Sequence, residues 1–396
     1  MAMKLITIPS LLLLSSCFLN PYGGDTEADC NFTNTCTSSQ TDCQKNASLT
    51  DPTAIGDGAG TPYEIYSVSQ MNAISDNVAL MSNNYKVMCD LDLSGVTWNP
   101  IGSSSNQYAG TFDGNNKTIS NLSLNGNQDG YGLFAETSGA TLTNFKLTNV
   151  NVVNATYSTG GLAGKINTTT VSNSSVSGTV QGFGKTGGLI GNANSGISTI
   201  STSYSEVNVS CTSTGGNQGY CGGLVGYIFT TNSAINNSYA TGTVTAPTGG
   251  TADGYGGLVG ATFNGIDVTN SYATGNVTGQ DSVGGLIGYM SSTTDVVGCF
   301  STGDADSNNT QVGGMIGKYA SGSDPGARLS NLFWFDRTAD TNDCYSYNTG
   351  GNTGNSNCST HVMESALYNS GSEPYSGSSW STSIWEWSGS DFPTLK

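Results

Sequence analysis

Positive charge is scarce in this chain. Its 396 residues hold 11 Lys and Arg against 28 Asp and Glu, for a formal net charge of −17. No basic cluster is present to neutralise phosphates, which argues against nucleic acid as a partner. The same deficit argues against an electrostatic membrane-surface patch. Histidine is scarcer still, with His361 alone. A zincin helix needs H-E-x-x-H, two His one turn apart with a Glu base, and one His cannot supply it. A Ser-His-Asp triad through His361 is formally open, but no G-x-S-x-G elbow surrounds a Ser. His361 therefore reads as a solvated loop residue. No C-x-x-C spacing exists, so zinc is a poor use for the cysteines. Asp304, Asp306 and Asn308 in "GDADSNN" mimic the start of an EF-hand loop, but the twelfth position is Met315 rather than Glu. Asp90 and Asp92 share one face of a short strand and read as structural. Neither a metal, a cofactor nor a catalytic residue is expected.

Long apolar runs are missing too. The longest, Leu5 to Leu14, is too short to span a bilayer and reads as the core of a signal peptide. Leu14-Ser15-Ser16-Cys17 follows it and resembles the bacterial lipobox, in which the Cys becomes the lipidated first residue. The alternative is an ordinary secretory signal that contains a Cys. Acylation of Cys17 would hold the mature protein on a membrane. Phe18 after it, in place of Asp, leans toward the outer membrane of a bacterial envelope.

What is present is Gly, Ser, Thr, Asn and Cys. Ten Cys suit an oxidising compartment. With Cys17 assigned to lipid, Cys211 and Cys221 flank one Gly-rich loop, and Cys344 and Cys358 flank another. A Cys211–Cys221 bridge would close its loop and contribute about 2–3 kcal/mol. Cys30, Cys36, Cys43 and Cys89 form two further pairs of unassigned partners. Cys299 is left over.

Two phrases recur. "NSYATG" occurs at 237–242 and again at 270–275. Gly-Gly-apolar-x-Gly appears at 160–164, 187–191, 222–226, 256–260, 284–288 and 313–317, after a degenerate "YGLFA" at 131–135. Its central residues, Leu133, Leu162, Leu189, Leu224, Leu258, Leu286 and Met315, are 27 to 35 residues apart. A period near 30 means one supersecondary unit per repeat, with length differences taken up in loops. Between these anchors lie eight rows that start at 119, 142, 171, 200, 235, 268, 296 and 329. Each opens on Ile, Val or Leu, and six carry Asn in third place. Stacked Asn side chains can bond to their copies along a column, and Asn tolerates the left-handed conformation of a sharp corner. The strands are short, β-branched and punctuated by Gly, with no apolar stripe of helical period. This is the pattern of an all-β parallel β-solenoid, or β-helix, in which each repeat forms one coil about 4.8 Å from the next. Cys299 falls in the column of Ser174, Ser203, Ser238 and Ser271, where a small residue is wanted, and reads as a buried thiol.

Open coils need covers. Ser67 and Gln70 suit a capping box, and Met71, Ile74, Val78 and Met81 share one face of a short N-terminal capping helix. Trp334, Trp380, Trp385, Trp387 and Phe392 supply an aromatic C-terminal cap that would plug the far end. The expected organisation is a signal peptide at 1–16, a lipid-anchored spacer at 17–54 and a leading and capping segment at 55–118. Solenoid repeats follow at 119–335 and the C-terminal cap at 336–396.

The "GGLVG" and "GGLIG" cores with "NSYATG" resemble the GLUG repeat of bacterial surface proteins. "GTFDGNNKTISNLSL" resembles the segment that precedes such repeats, and "NLFWFDRT" with "WEWSGSDFPTLK" the segment that closes them. The resemblance implies a β-solenoid on adhesin-like surface proteins. The repeat also occurs beside the zinc peptidase domain of IgA-cleaving proteases, whose activity is not carried over to a chain with one His. One surface feature remains, a column of Tyr204, Tyr239, Tyr272, Phe300 and Phe333. Alternation points it outward, where it would either bind sugar rings or partner side chains, or stack on itself. The expected function is a non-enzymatic adhesin or envelope scaffold that meets a glycan or a host or matrix protein. The alternatives are a passive stalk and a polysaccharide-active β-helix.

Overall fold

The computed structural model describes residues 28–30, 36–38, 41–75, 77–213, 219–247, 254–307, 311–320, 328–335, 344–347, 353–354, 358–359, 375 and 380–396. Cys17, Asn308 and His361 lie outside the described residues. One turn of chain shows the plan, with strands Gly184–Gly187, Ile190–Ser195, Thr199–Ser201 and Tyr204–Cys211. Each strand pairs in parallel with its copy one coil on, through Thr186 with Cys221, Ile190 with Val225, Ile200 with Ile235 and Tyr204 with Tyr239. Repetition gives sheets of six, nine, ten and fourteen strands among the described residues. Their pairing is parallel except at Tyr345–Tyr347 against Thr353–Gly354.

The central apolar residues form one file inside this β-solenoid. Leu133, Leu162, Leu189, Leu224, Leu258, Leu286 and Met315 are all fully buried. From Leu162 to Leu286, each N–H donates to the carbonyl of the next member of the file at 2.9–3.0 Å. The glycines beside them permit this approach. A Cβ on Gly187 would lie 2.1 Å from the Ile190 carbonyl oxygen, and one on Gly223 would lie 2.2 Å from that of Gly257.

The third-place Asn residues sit at a corner. Asn144, Asn173, Asn237, Asn270 and Asn331 have φ between 47° and 57°, and Thr202 and Gly298 take the same left-handed turn. A side-chain ladder runs through the first coils, where Asn173 donates to Asn144 at 3.3 Å and Asn144 to Asp113 at 2.8 Å. Thr202 and Gly298 interrupt it, and the Asn237 Oδ1 is buried without a partner. What the column shares is the corner conformation, which Asn tolerates through its short polar side chain.

The row at 119 belongs elsewhere. Ile119 pairs with Leu147, whereas Leu142 pairs with Phe112. "TFD" therefore starts the Asn-corner column, and "ISN" matches the "LTN" at 147–149, where Asn149 donates to Asn121 at 2.6 Å. Parallel pairing also begins well before 119, at Tyr63–Ile65 against Tyr85–Val87.

At the N-terminal end, the helix spans Val68–Ser75 and buries Gln70, Met71 and Ile74. Gln70 N donates to Ser67 Oγ at 3.1 Å, but the Gln70 side chain accepts from Tyr66 N rather than Ser67 N. Val78 was expected on the buried face. It starts a separate 3-10 turn, Val78–Leu80, and is 61% exposed. The spacer holds a helix without apolar periodicity, Asp42–Asn46, with a Thr41–Gln44 capping box. Cys43 is bonded to Cys89, joining spacer to solenoid. Cys30 and Cys36 are register partners in an antiparallel hairpin. Cys211 is bonded to Cys221, and Cys344 to Cys358.

Among the described residues of the aromatic C-terminal cap, Trp380, Trp385, Trp387 and Phe392 lie along the flank of the coils, whereas Trp334 packs in the coil core. Trp380 donates to the Gly298 carbonyl at 2.8 Å, and Tyr272 Oη donates to that of Pro393 at 2.7 Å. The tail thus returns toward earlier coils.

Candidate functional site

The predicted column of rings stands outside the aliphatic core, as alternation requires. Centroids are 4.7 Å apart for Tyr204 and Tyr239, 4.8 Å for Tyr239 and Tyr272, and 4.6 Å for Tyr272 and Phe300, all within 4° of parallel. It is not open to solvent. Tyr239 is 4% exposed, Tyr272 1% and Phe300 0%. Trp385 lies 6.1 Å from Tyr239, Trp380 lies 5.8 Å from Phe300, and Tyr375 meets Phe300 edge-on. The reading of Tyr239, Tyr272 and Phe300 as an open ligand strip is therefore corrected. A column of rings exposes a large apolar area, and the tail removes it from water. Burial pushes the Tyr239 and Tyr272 hydroxyls well above the ordinary tyrosine range. Tyr204 alone, at the end of the stack, keeps partial exposure.

An open aromatic face exists on a different side. In the nine-stranded sheet, one outward file runs Glu136, Lys165, Asn192, Tyr227, Ala261, Tyr289, Lys318. Phe229 and Phe263 stand two residues on from Tyr227 and Ala261 and so share that face. Phe263 fills the space over Ala261, 5.3 Å from Tyr227 and 5.0 Å from Tyr289. Phe229 stacks on Tyr227 at 6.0 Å, and Tyr220 closes the near side at 5.1 Å. Phe229 is 41% exposed, and the other four rings are half-buried.

Two cations frame these rings. Lys185 Nζ lies 4.5 Å from the Tyr227 centroid, and Lys318 Nζ lies 5.9 Å from that of Tyr289. Cation–π contacts of this kind are worth about 0.5–2 kcal/mol. Burial lowers the Lys185 pKa, against the pull of Asp129. Burial also raises Tyr227 to about 12. Five rings with lysines at both ends offer flat apolar surface together with positive charge, in a chain that has little of either. Sequence reasoning missed this face because its rings come from three files, Tyr220 from the six-stranded sheet among them, and one file is broken by Ala261. The available signal was "GYIF" at 226–229 with "GYM" at 288–290.

Asp90, Asp92, Asp304 and Asp306 serve the coils. Asp90 accepts from Thr118 N at 2.7 Å. Asp92 accepts from Asn121 at 2.7 Å and Ser94 N at 2.9 Å, which hold its pKa low. Asp304 N donates to Asn276, and Asp306 sits in register with Thr278. Among the described residues, no three His, Cys, Asp or Glu are grouped to hold a metal ion. A cavity of about 400 Å³ near the N-terminal helix is lined by Met81, Asn99 and Asn106. Its Lys165 and Asp129 are paired with each other.

Fold and repeat define a parallel β-solenoid of short, glycine-cornered coils. Residues 252–278 match the family described as Glug, the GLUG motif. This stretch carries a GLUG motif, and the Gly-Gly-apolar-x-Gly phrase within it recurs along the chain. A stretch of 158 residues, 35% of the chain, is 35% identical to halomucin of Haloquadratum walsbyi. That match spans about 2% of halomucin's length. Among solved structures, the chain is similar to a candidate immunoglobulin A1 protease from Bacteroides ovatus. The TM-score is 0.61 at 21% identity, covering 87% of this chain and 95% of that one. A second, described as an IgA1 protease, gives a TM-score of 0.47 at 19% identity over 79% of this chain and 23% of that one.

Proposed function

We propose that this chain is a surface-displayed lipoprotein that binds acidic glycans as an adhesin or envelope scaffold and has no catalytic activity. The observation that carries this reading is the open face of Tyr220, Tyr227, Phe229, Phe263 and Tyr289, with Lys185 and Lys318 at its edges. Sugar rings present apolar C–H faces to aromatic planes, and their carboxylates or sulfates pair with ammonium groups. Tyr220, Tyr227 and Tyr289 stand on paired strands and Phe229 and Phe263 directly follow such strands, so binding costs little ordering of the protein. The GLUG motif and the halomucin match support a place at the cell surface. The apolar run before Cys17 supports lipid anchoring to a bacterial envelope, with the outer membrane as the favoured leaflet. The engagement of Asp90 and Asp92 within the coils supports a binding role over a hydrolytic one.

The test exposes residues 18–396, without lipid, to glycan and extracellular-matrix arrays, beside Tyr227→Ala/Phe263→Ala and Lys185→Gln. Binding to uronic-acid, sialylated or sulfated glycans is expected. It should fall at least tenfold in the double variant, about 1.4 kcal/mol, and weaken in high salt. Absence of binding to every arrayed ligand would leave a passive stalk.

A further inference from the structure

The ring column on the fourteen-stranded sheet ends abruptly. Below Tyr204 the same file continues as Ser175, then Lys146, then Thr118. Each coil from Tyr204 to Phe300 contributes a ring to this file, and the Ser175 coil does not. Because coils repeat at about 4.8 Å, a missing ring leaves a slot one ring thick between Tyr204 and the level of Lys146. A cavity of about 450 Å³ occupies this place, lined among others by Ser175, Tyr204, Lys146, Asn144 and Asn173. The tail that seals the rest of the column borders the slot with Leu395 and Lys396 and leaves it open.

We propose that this slot is a second binding site, distinct from the open aromatic face, and that it takes the terminal acidic sugar of a glycan as the next member of the stack. The chemistry of the lining selects that occupant. Tyr204 offers one free ring face, since its other face lies on Tyr239. The rim carries amide and hydroxyl groups from Asn144, Asn173, Ser175 and Thr202, which suit a ring edged with hydroxyls better than a hydrocarbon ring. Lys146 is exposed and makes no ion pair among the described residues. It stands one coil beyond the slot, within reach of a carboxylate on the bound ring.

Ser175→Tyr tests this directly, because it supplies the missing ring from within. Saturation-transfer NMR and calorimetry on residues 18–396 would use methyl glucuronide, methyl galacturonide, their neutral glycosides and 4-hydroxyphenylacetate. The acidic sugars should bind. Ser175→Tyr should abolish that binding while raising the melting temperature, which shows that the new ring has entered a folded stack. Lys146→Gln should reduce acidic-sugar affinity about fivefold, to the level of the neutral glycosides. All of these measurements are made in the Tyr227→Ala/Phe263→Ala background, which removes the open face, so the binding read is that of the slot alone. Acidic-sugar binding that survives Ser175→Tyr would overturn the site. Absence of any sugar binding, or preference for 4-hydroxyphenylacetate, would overturn the occupant.

Discussion

Cys299 shows how a single position is read by its column. Ser174, Ser203, Ser238 and Ser271 precede it, and each hydroxyl accepts from the backbone N–H of the preceding coil's member, Phe145 in the case of Ser174, at 3.1–3.3 Å. Each also donates to a carbonyl two residues earlier, at 2.7–2.9 Å. Cys299 Sγ takes the same post, 3.4 Å from the Val297 oxygen and 3.5 Å from that of Val268. The need for a small residue was legible in sequence. The bridging role of the hydroxyl was not, because it depends on a backbone N–H some thirty residues away. Ser203→Ala should cost about 1–3 kcal/mol in denaturant unfolding, because it strips the buried Ser174 N–H of its acceptor. Burial raises the Cys299 thiol to about 12, so it stays protonated and should resist maleimide until the protein unfolds. Tyr66 and Tyr227 are likewise raised to about 12. Groups whose folded pKa exceeds the unfolded value stabilise fully below the unfolded pKa and lose that contribution as pH climbs through the folded one. Stability should therefore hold up to about pH 9 and fall between about pH 9 and 12, as followed by circular dichroism.

A coil is the element here, and its legibility followed from repetition. Leu162, Leu189, Leu224, Leu258 and Leu286 recur because each meets the same neighbours one coil along, so a repeated environment leaves a repeated residue. Leu224→Ala in mid-file should cost about 2–5 kcal/mol, measured by denaturant unfolding. The Asn corner was legible for the same reason. The row at 119 misled because "ISNLSL" and "LTNVNV" share their spelling with the corner rows while lying on the next side of the coil. Phe112 in place of an aliphatic residue hid the true match. Alternation correctly turned the Tyr239 column outward. The cover over that column was illegible, because Tyr272 and Pro393 are 121 residues apart and no local pattern encodes such a contact. The open face was illegible for a different reason, since neighbouring files supplied rings that no single column repeats.

At the scale of the whole molecule, the chain is a rod with one aromatic surface covered and another open. The tail binds laterally, with Trp380 and Trp385 against the rings of three coils, Tyr239, Tyr272 and Phe300. Removal of residues 375–396 should expose the column, raise binding of a hydrophobic dye such as ANS and lower the melting temperature, while the Leu file remains packed. The two surfaces also separate stability from recognition. Paired variants made in the Ser175→Tyr background, which fills the slot beside Tyr204, and measured by calorimetric unfolding and glycan-array titration test this most directly. Tyr227→Ala/Phe263→Ala should lose acidic-glycan binding with little change in melting temperature. Tyr239→Ala/Tyr272→Ala should keep that binding and lose melting temperature. Acidic-glycan binding that persists in Tyr227→Ala/Phe263→Ala, or that vanishes only in Tyr239→Ala/Tyr272→Ala while the rod stays folded, would contradict the account.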